Sequence, residues 1–100
     1  MMKLHLPQRL NWGIHVKHES ETLDIVLVQL EKDAERRKAV FSVTGSGGNE
    51  QVNLTPKTSY RVRPGLFLKM GPAEQQFIMH CEYYSRFYRV LGPRRYGSKS

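Results

Sequence analysis

The sequence predicts an all-β domain, a small barrel or sandwich of about seven short, mainly antiparallel strands. Three observations lead there. Apolar and polar residues alternate in short runs. Gly, Pro, Asn and Ser interrupt those runs at roughly the 8–12-residue spacing of sandwiches and barrels. No stretch carries the apolar stripe of an amphipathic helix.

Taken in order, residues 1–12 hold Pro7 and no sustained period, so they read as an N-terminal arm or a first edge segment. GIHVKH (13–18) alternates around Ile14 and Val16 and reads as a short strand. TLDIVLVQL (22–30) is dense in β-branched residues and apolar on both faces, which suits a central strand covered on both sides. EKDAERRK (31–38) is charged throughout and reads as a polar loop or one exposed helical turn. AVFSV (39–43) is a strand, and TGSGGNE (44–50) a flexible turn. Short strands then follow at QVNL (51–54), SYRVR (59–63), GLFLKM (65–70), QQFIMHC (75–81) and YSRFYRV (84–90). They are broken at Pro56, at Pro64-Gly65 and at Gly71-Pro72. The closing GPRRYGSKS follows no pattern and reads as a flexible basic tail, residues 92–100, leaving 1–91 as a single β domain.

One hundred residues fit one ordinary domain. An apolar share of 39% with ten aromatics is too rich for a disordered chain. No apolar run approaches the roughly 20 residues of a membrane-spanning helix, and the N-terminus lacks the apolar core of a signal peptide. The single cysteine, Cys81, can form no internal disulfide, which fits a reducing compartment. The expected location is therefore the cytoplasm, or the host cytoplasm for a viral protein.

No recognisable catalytic constellation is present. His15 and His18, three apart on a strand, point to opposite faces, and no third ligand stands nearby for zinc. His80 and Cys81 are adjacent strand residues and cannot easily pair as base and nucleophile. The 44–50 glycines lack the Gly-Lys-Ser/Thr of a phosphate loop. The expectation is a non-enzymatic protein with no cofactor, no metal and no small-molecule substrate.

The charge points to a partner. The net charge is +7. Residues 1–50 are balanced: Lys3, Arg9, Lys17, Lys32, Arg36, Arg37 and Lys38 against Glu19, Glu21, Asp24, Glu31, Asp33, Glu35 and Glu50. Residues 51–100 carry nine basic side chains against only Glu74 and Glu82, and six of the nine are arginines, suited to bidentate phosphate contact. A basic surface attracts nucleic acid first, and an anionic membrane or acidic protein second. EYYSRFYRVLGPRRY (82–96) interleaves four tyrosines and a phenylalanine with four arginines. Aromatic faces stack on unpaired bases while arginines hold phosphates. A plain alternative is a final strand with tyrosines in the core and arginines in solvent.

Residues 52–90 resemble the carbon storage regulator family of RNA-binding translational repressors. VNLTPK (52–57) is similar to that family's opening strand, which ends L-T-R-K. Gly65 with LFLKM (66–70) resembles its G-x-x-V-x-V strand. FIMHCEYYSRFYRV (77–90) resembles its closing I-G-V-x-A-P-x-x-V-x-V-H-R stretch. Pro56 and Glu82 depart from the pattern, the first linker is shorter, and the first half has no counterpart. The resemblance implies an intertwined β dimer on messenger RNA, with Arg89 at the family's RNA-binding arginine and Lys57 at the basic end of its first strand.

The expected function is therefore a non-catalytic binding module for RNA or single-stranded DNA, in the manner of a translational or post-transcriptional regulator of phage or mobile-element type. Lys57, Arg61, Arg63, Arg86, Arg89, Arg94 and Arg95 would hold phosphates, and Tyr84 or Tyr88 would stack on bases. A homodimer or higher homo-oligomer is expected, with no membrane partner. The alternative is a structural, assembly or protein-interaction role, such as a virion component or an inhibitor.

Overall fold

The computed structural model describes residues 2–18, 21–32, 37–70, 76–81 and 88–96. Among them there is no helix, and so none long and apolar enough to cross a membrane. Nine strands form: β1 (Met2–Pro7), β2 (Trp12–His18), β3 (Glu21–Lys32), β4 (Arg37–Gly45), β5 (Gly48–Leu54), β6 (Ser59–Arg63), β7 (Leu66–Met70), β8 (Gln76–Cys81) and β9 (Tyr88–Arg95). They make two antiparallel sheets. The smaller has the order β1-β8-β7-β6, the larger β5-β4-β3-β2-β9. At one seam β1 lies beside β9, and at the other β5 lies beside β6. Neither seam is closed by strand pairing, so the architecture is a sandwich and not a closed barrel.

Alternation along the strands builds the core. Leu23, Ile25 and Leu27 of β3 and Ala39, Phe41 and Val43 of β4 face inward from the larger sheet. Leu66, Leu68 and Met70 of β7, Phe77 of β8 and Leu6 of β1 meet them from the smaller. Phe41 and Phe77 touch edge to face across the two sheets, with ring centroids 5.0 Å apart and planes at 83°. Such pairs add roughly 0.5–1.5 kcal/mol beyond the area they bury.

Two bulges retune the alternation. On β3, Leu27 pairs with Phe41 but Gln29 pairs with Val40, so Val28 is an extra residue. The bulge lets Leu30 join the core side beside Ala39 and leaves Val28 outside, 41% exposed. On β6, Arg61 faces Phe67 and Arg63 faces Leu66, so Val62 is extra. That phase shift brings Arg63 to the rim of the inner face.

Several sequence expectations need correction. Strands number nine among the described residues, not about seven. Of the two alternatives for residues 1–12, the edge segment holds and the free arm does not: β1 is the edge strand of the smaller sheet, pairs with β8 over its whole length and buries Leu6. The tail expected at 92–100 is structured as far as the description reaches. Arg94 and Arg95 pair with Gly13 and Trp12 of β2, and the Tyr96 amide donates to the Asn11 carbonyl at 2.6 Å. Central β3 covers one face only, because its outer face carries Thr22, Asp24 and the exposed Val28. The charged 31–38 run gives its two ends to the β3–β4 pairing, with Glu31 opposite Lys38 and Lys32 opposite Arg37, while residues 33–36 lie outside the described residues. The Glu31–Lys38 pair is of opposite charge and favours the pairing; Lys32 and Arg37 are like charges and do not. The glycine-rich 44–50 segment is a tight hairpin, with Gly45 paired to Gly48. At Pro64-Gly65, Gly65 has φ 79°, the positive φ that a Pro-Gly type II turn requires.

Gly13 is the tightest point of the larger sheet. A Cβ there would lie 2.0 Å from the Ile25 carbonyl oxygen and 2.7 Å from the Val26 Cα. The β2–β9 register also shifts beside it. Gly13→Ala should therefore destabilise the fold by about 3 kcal/mol or more in urea unfolding, a cost typical of severe backbone clashes. Gly47→Ala, with nothing within 4 Å of its Cβ, should stay within about 0.5 kcal/mol of wild type.

Candidate nucleic-acid interface

The strands of the smaller sheet contain no aspartate or glutamate. They carry Lys3, His5, Arg61, Arg63, Lys69 and His80. Register orders most of these into two rows that cross all four strands. One row runs Arg61, Phe67, His80, Lys3, and the next runs Ser59, Lys69, Ile78, His5. Arg61, Lys69 and His5 are exposed, and Phe67 is half-buried. Leu66, Leu68 and Met70 point into the core, so Phe67 and Lys69 face outward on the same strand. With strands about 4.8 Å apart, the first row spans roughly 14 Å.

The outer face of the larger sheet has a different chemistry. Asn49 donates through Nδ2 to Ser42 Oγ at 2.6 Å and Thr44 Oγ1 at 2.8 Å. Gln51 and Asn53 are exposed on the same edge strand. Further along, Nδ1 of His15 lies 2.6 Å from Asp24 Oδ1, and the Tyr96 hydroxyl donates to that oxygen at 3.0 Å. A carboxylate only accepts, so Nδ1 carries the proton. His15 is thus a sheet-bracing residue with a side chain only 16% exposed. No group of three or more His, Cys, Asp or Glu that could hold a metal occurs among the described residues.

The residues singled out from the sequence do not converge on one face. Lys57 sits at an exposed turn between β5 and β6. Thr55 and Thr58 brace that turn, with their hydroxyls 3.0 Å apart. Arg61 lies on β6, an edge of the smaller sheet. Tyr88, Arg89, Arg94 and Arg95 lie on β9, the far edge of the larger sheet. There Arg89 stands opposite Lys17, and Arg95 is exposed. Tyr84 and Arg86 lie outside the described residues. The stretches that resemble the repressor family fall on β5, on β7 and β8, and on β9, and so are divided between the sheets.

Arg63 is committed elsewhere. Its Nε and Nη2 donate to Glu21 at 3.3 and 3.2 Å, and its Nη1 donates to Glu50 at 3.3 Å. Glu21 is on β3 and Glu50 on β5, so this guanidinium ties the two sheets together at the open rim of the core. The hydrogen bond to Glu21 raises its pKa above the ordinary arginine value, burial opposes that, and Glu50 adds to the rise. A phosphate would have to displace two carboxylates to reach it. Arg63 is therefore left out of the candidate interface. The sequence reading missed Phe67, Lys69 and His5. The alternation of GLFLKM places Phe67 and Lys69 on one face, and only the pairing of β7 with β6 and β8 sets them beside Arg61 and Ile78.

No family model, no curated protein and no solved structure matches this chain. The resemblance of residues 52–90 thus stands on its own short motifs.

The Arg63 cluster is testable by itself. A raised pKa means its stabilisation is fully present below the ordinary arginine range and is lost only as pH rises through the raised value, so no titration of this contribution is expected near neutrality. Because the cluster is partly solvated, Arg63→Gln should cost about 1 kcal/mol in thermal unfolding, and less in high salt. The same variant should lower nucleic-acid affinity less than Arg61→Gln does.

Proposed function

We propose that this protein is a nucleic-acid-binding module whose contact surface is the outer face of the four-stranded sheet. The observation that carries this reading is the absence of any carboxylate from all four strands, in a chain that has nine acidic residues. Exposed Arg61 and Lys69 stand on that face without an acidic neighbour in register, and His5 is exposed in the same row as Lys69. Lys57 extends the cationic surface at the β5–β6 turn. A face with lysine and arginine and no carboxylate on its strands releases counterions when it meets phosphates, which is the main source of sequence-independent affinity. Exposed Arg95 on β9 adds a further cationic position at the edge of the larger sheet. The resemblance of residues 52–90 makes messenger RNA, and translational regulation, the first biological setting to try.

A second reading, a protein-interaction or assembly role, rests on a separate observation. Leu10 is 53% exposed and Val28 is 41% exposed. The two are drawn together because the Asn11 amide donates to the Leu27 carbonyl at 2.8 Å. Concentration-dependent mass that falls to monomer in Val28→Lys would support it.

The nucleic-acid reading is tested by fluorescence anisotropy on labelled single-stranded RNA, single-stranded DNA and duplex DNA at two salt concentrations. Wild type should bind with a clear salt dependence. The pair Arg61→Gln with Lys69→Gln should weaken binding about tenfold and reduce the salt slope by about 1–2. Gln51→Glu with Asn53→Glu removes the same net charge from the opposite sheet and should cost less than about threefold. If both pairs act alike, binding follows net charge and this face is not the site. If wild type binds none of the three ligands, the reading fails.

A further inference from the structure

We infer that Phe67 is a base-stacking platform, and that the ligand of this face is single-stranded nucleic acid lying across β6, β7, β8 and β1. The inference rests on the nucleic-acid reading above and specifies its ligand.

The fold does not use Phe67 as it uses its other described phenylalanines. Phe41 and Phe77 are fully buried and meet between the sheets. Phe67 belongs neither to the core cluster nor to the partly buried side chains, Leu4, Leu30 and Tyr60, packed on it. It stands on the outer face, directly opposite Arg61 on β6 and His80 on β8. The nearly buried Ile78 lies two residues along from His80 in the adjacent strand, on the diagonal from Phe67. An aromatic ring on an outer face, flanked by exposed Arg61 and Lys69, combines a stacking surface with phosphate partners on either side. Every base has a flat face, so such a platform accepts unpaired bases with little regard to sequence.

The width of the sheet argues against duplex DNA as the ligand. Four strands span roughly 14 Å between the outer strand axes, more than the roughly 12 Å major groove, which admits a helix or a two-stranded ribbon. A face this broad can touch a duplex only at its phosphates. Within a duplex the base faces are already stacked on one another, so Phe67 would have nothing to bind. A single strand crossing the sheet can place a base on Phe67 and its phosphates near Arg61 and Lys69 at once.

The test uses the full chain, with an unstructured single-stranded oligonucleotide and a duplex of equal length measured by anisotropy. Wild type should prefer the single strand at least tenfold. Phe67→Leu, which keeps an apolar side chain, should weaken single-strand binding about tenfold, equivalent to one stacked base at about 1.4 kcal/mol. Its duplex affinity and salt slope should not change. Phe67→Trp should retain affinity, and its added indole emission should be quenched by the single strand and not by the duplex. This gives a readout even if Phe67→Leu folds poorly. Equal affinity for both ligands, or a Phe67→Trp emission indifferent to the single strand, overturns the stacking inference; dependence on Arg61 and Lys69 would then still uphold nucleic-acid binding. Absence of binding to every ligand overturns both.

Discussion

The packing of two apolar inner faces around the Phe41–Phe77 contact is the constraint on which the rest of the structure depends. Each sheet is stable only if its inner face is removed from water, and the edge-to-face rings sit where β4 of one sheet crosses β8 of the other. Once those faces are joined, every strand has one side left for solvent. The chemistry of the protein is written on those outer sides. The outer positions of the smaller sheet include Arg61, Lys69 and Phe67 beside Ser59 and Ile78; those of the larger include hydroxyls, amides and the His15–Asp24–Tyr96 brace.

Chain closure follows from the same constraint. β2 to β5 and β6 to β8 are two meanders, and the two terminal strands are exchanged between them. β1 completes the sheet of β6–β8, and β9 completes the sheet of β2–β5. Both ends of the chain are thereby held by backbone pairing along β1 and β9. At the other seam, Arg63 with Glu21 and Glu50 fastens β6 to β3 and β5. That cluster explains why one of the arginines most easily read as a phosphate ligand is a structural residue. The Val62 bulge turns Arg63 toward the rim between the sheets, where two carboxylates meet it.

The proposed binding face and the basic half of the sequence are two different things that look alike along the chain. A net charge of +7 concentrated after residue 50 suggests a basic second half. In three dimensions the sheet that lacks carboxylates also draws on β1, from the charge-balanced first half, while β9, from the basic second half, belongs to the sheet that contains Glu21, Asp24, Glu31 and Glu50. The cationic face is therefore a product of strand order. The aromatic on it, Phe67, is not among the tyrosines of the arginine-rich 82–96 stretch that composition favours.

The sequence by itself determined the all-β class, most strand positions from 13 to 81, and the turns at 44–50, 55–58 and 64–65. These follow from local chemistry: alternation with a period of two, β-branched and aromatic content, and the backbone freedom or restriction of Gly and Pro. Strand membership of residues 92–95 was not legible, and that of 2–7 was legible only as one of two alternatives, because Pro7, Gly92 and Pro93 read locally as breakers while their partners lie tens of residues away. The two bulges were equally hidden, since a bulge is defined only against a neighbouring strand. Only the tertiary structure decided which cations are free and which are paired. Arg61 and Arg63 differ by two positions in an alternating run, yet one is exposed on an outer face and the other is bound by carboxylates 42 and 13 residues distant. Side-chain type and local period are properties of the chain alone; the partner of a charge is set by which strands the packing of the core brings together.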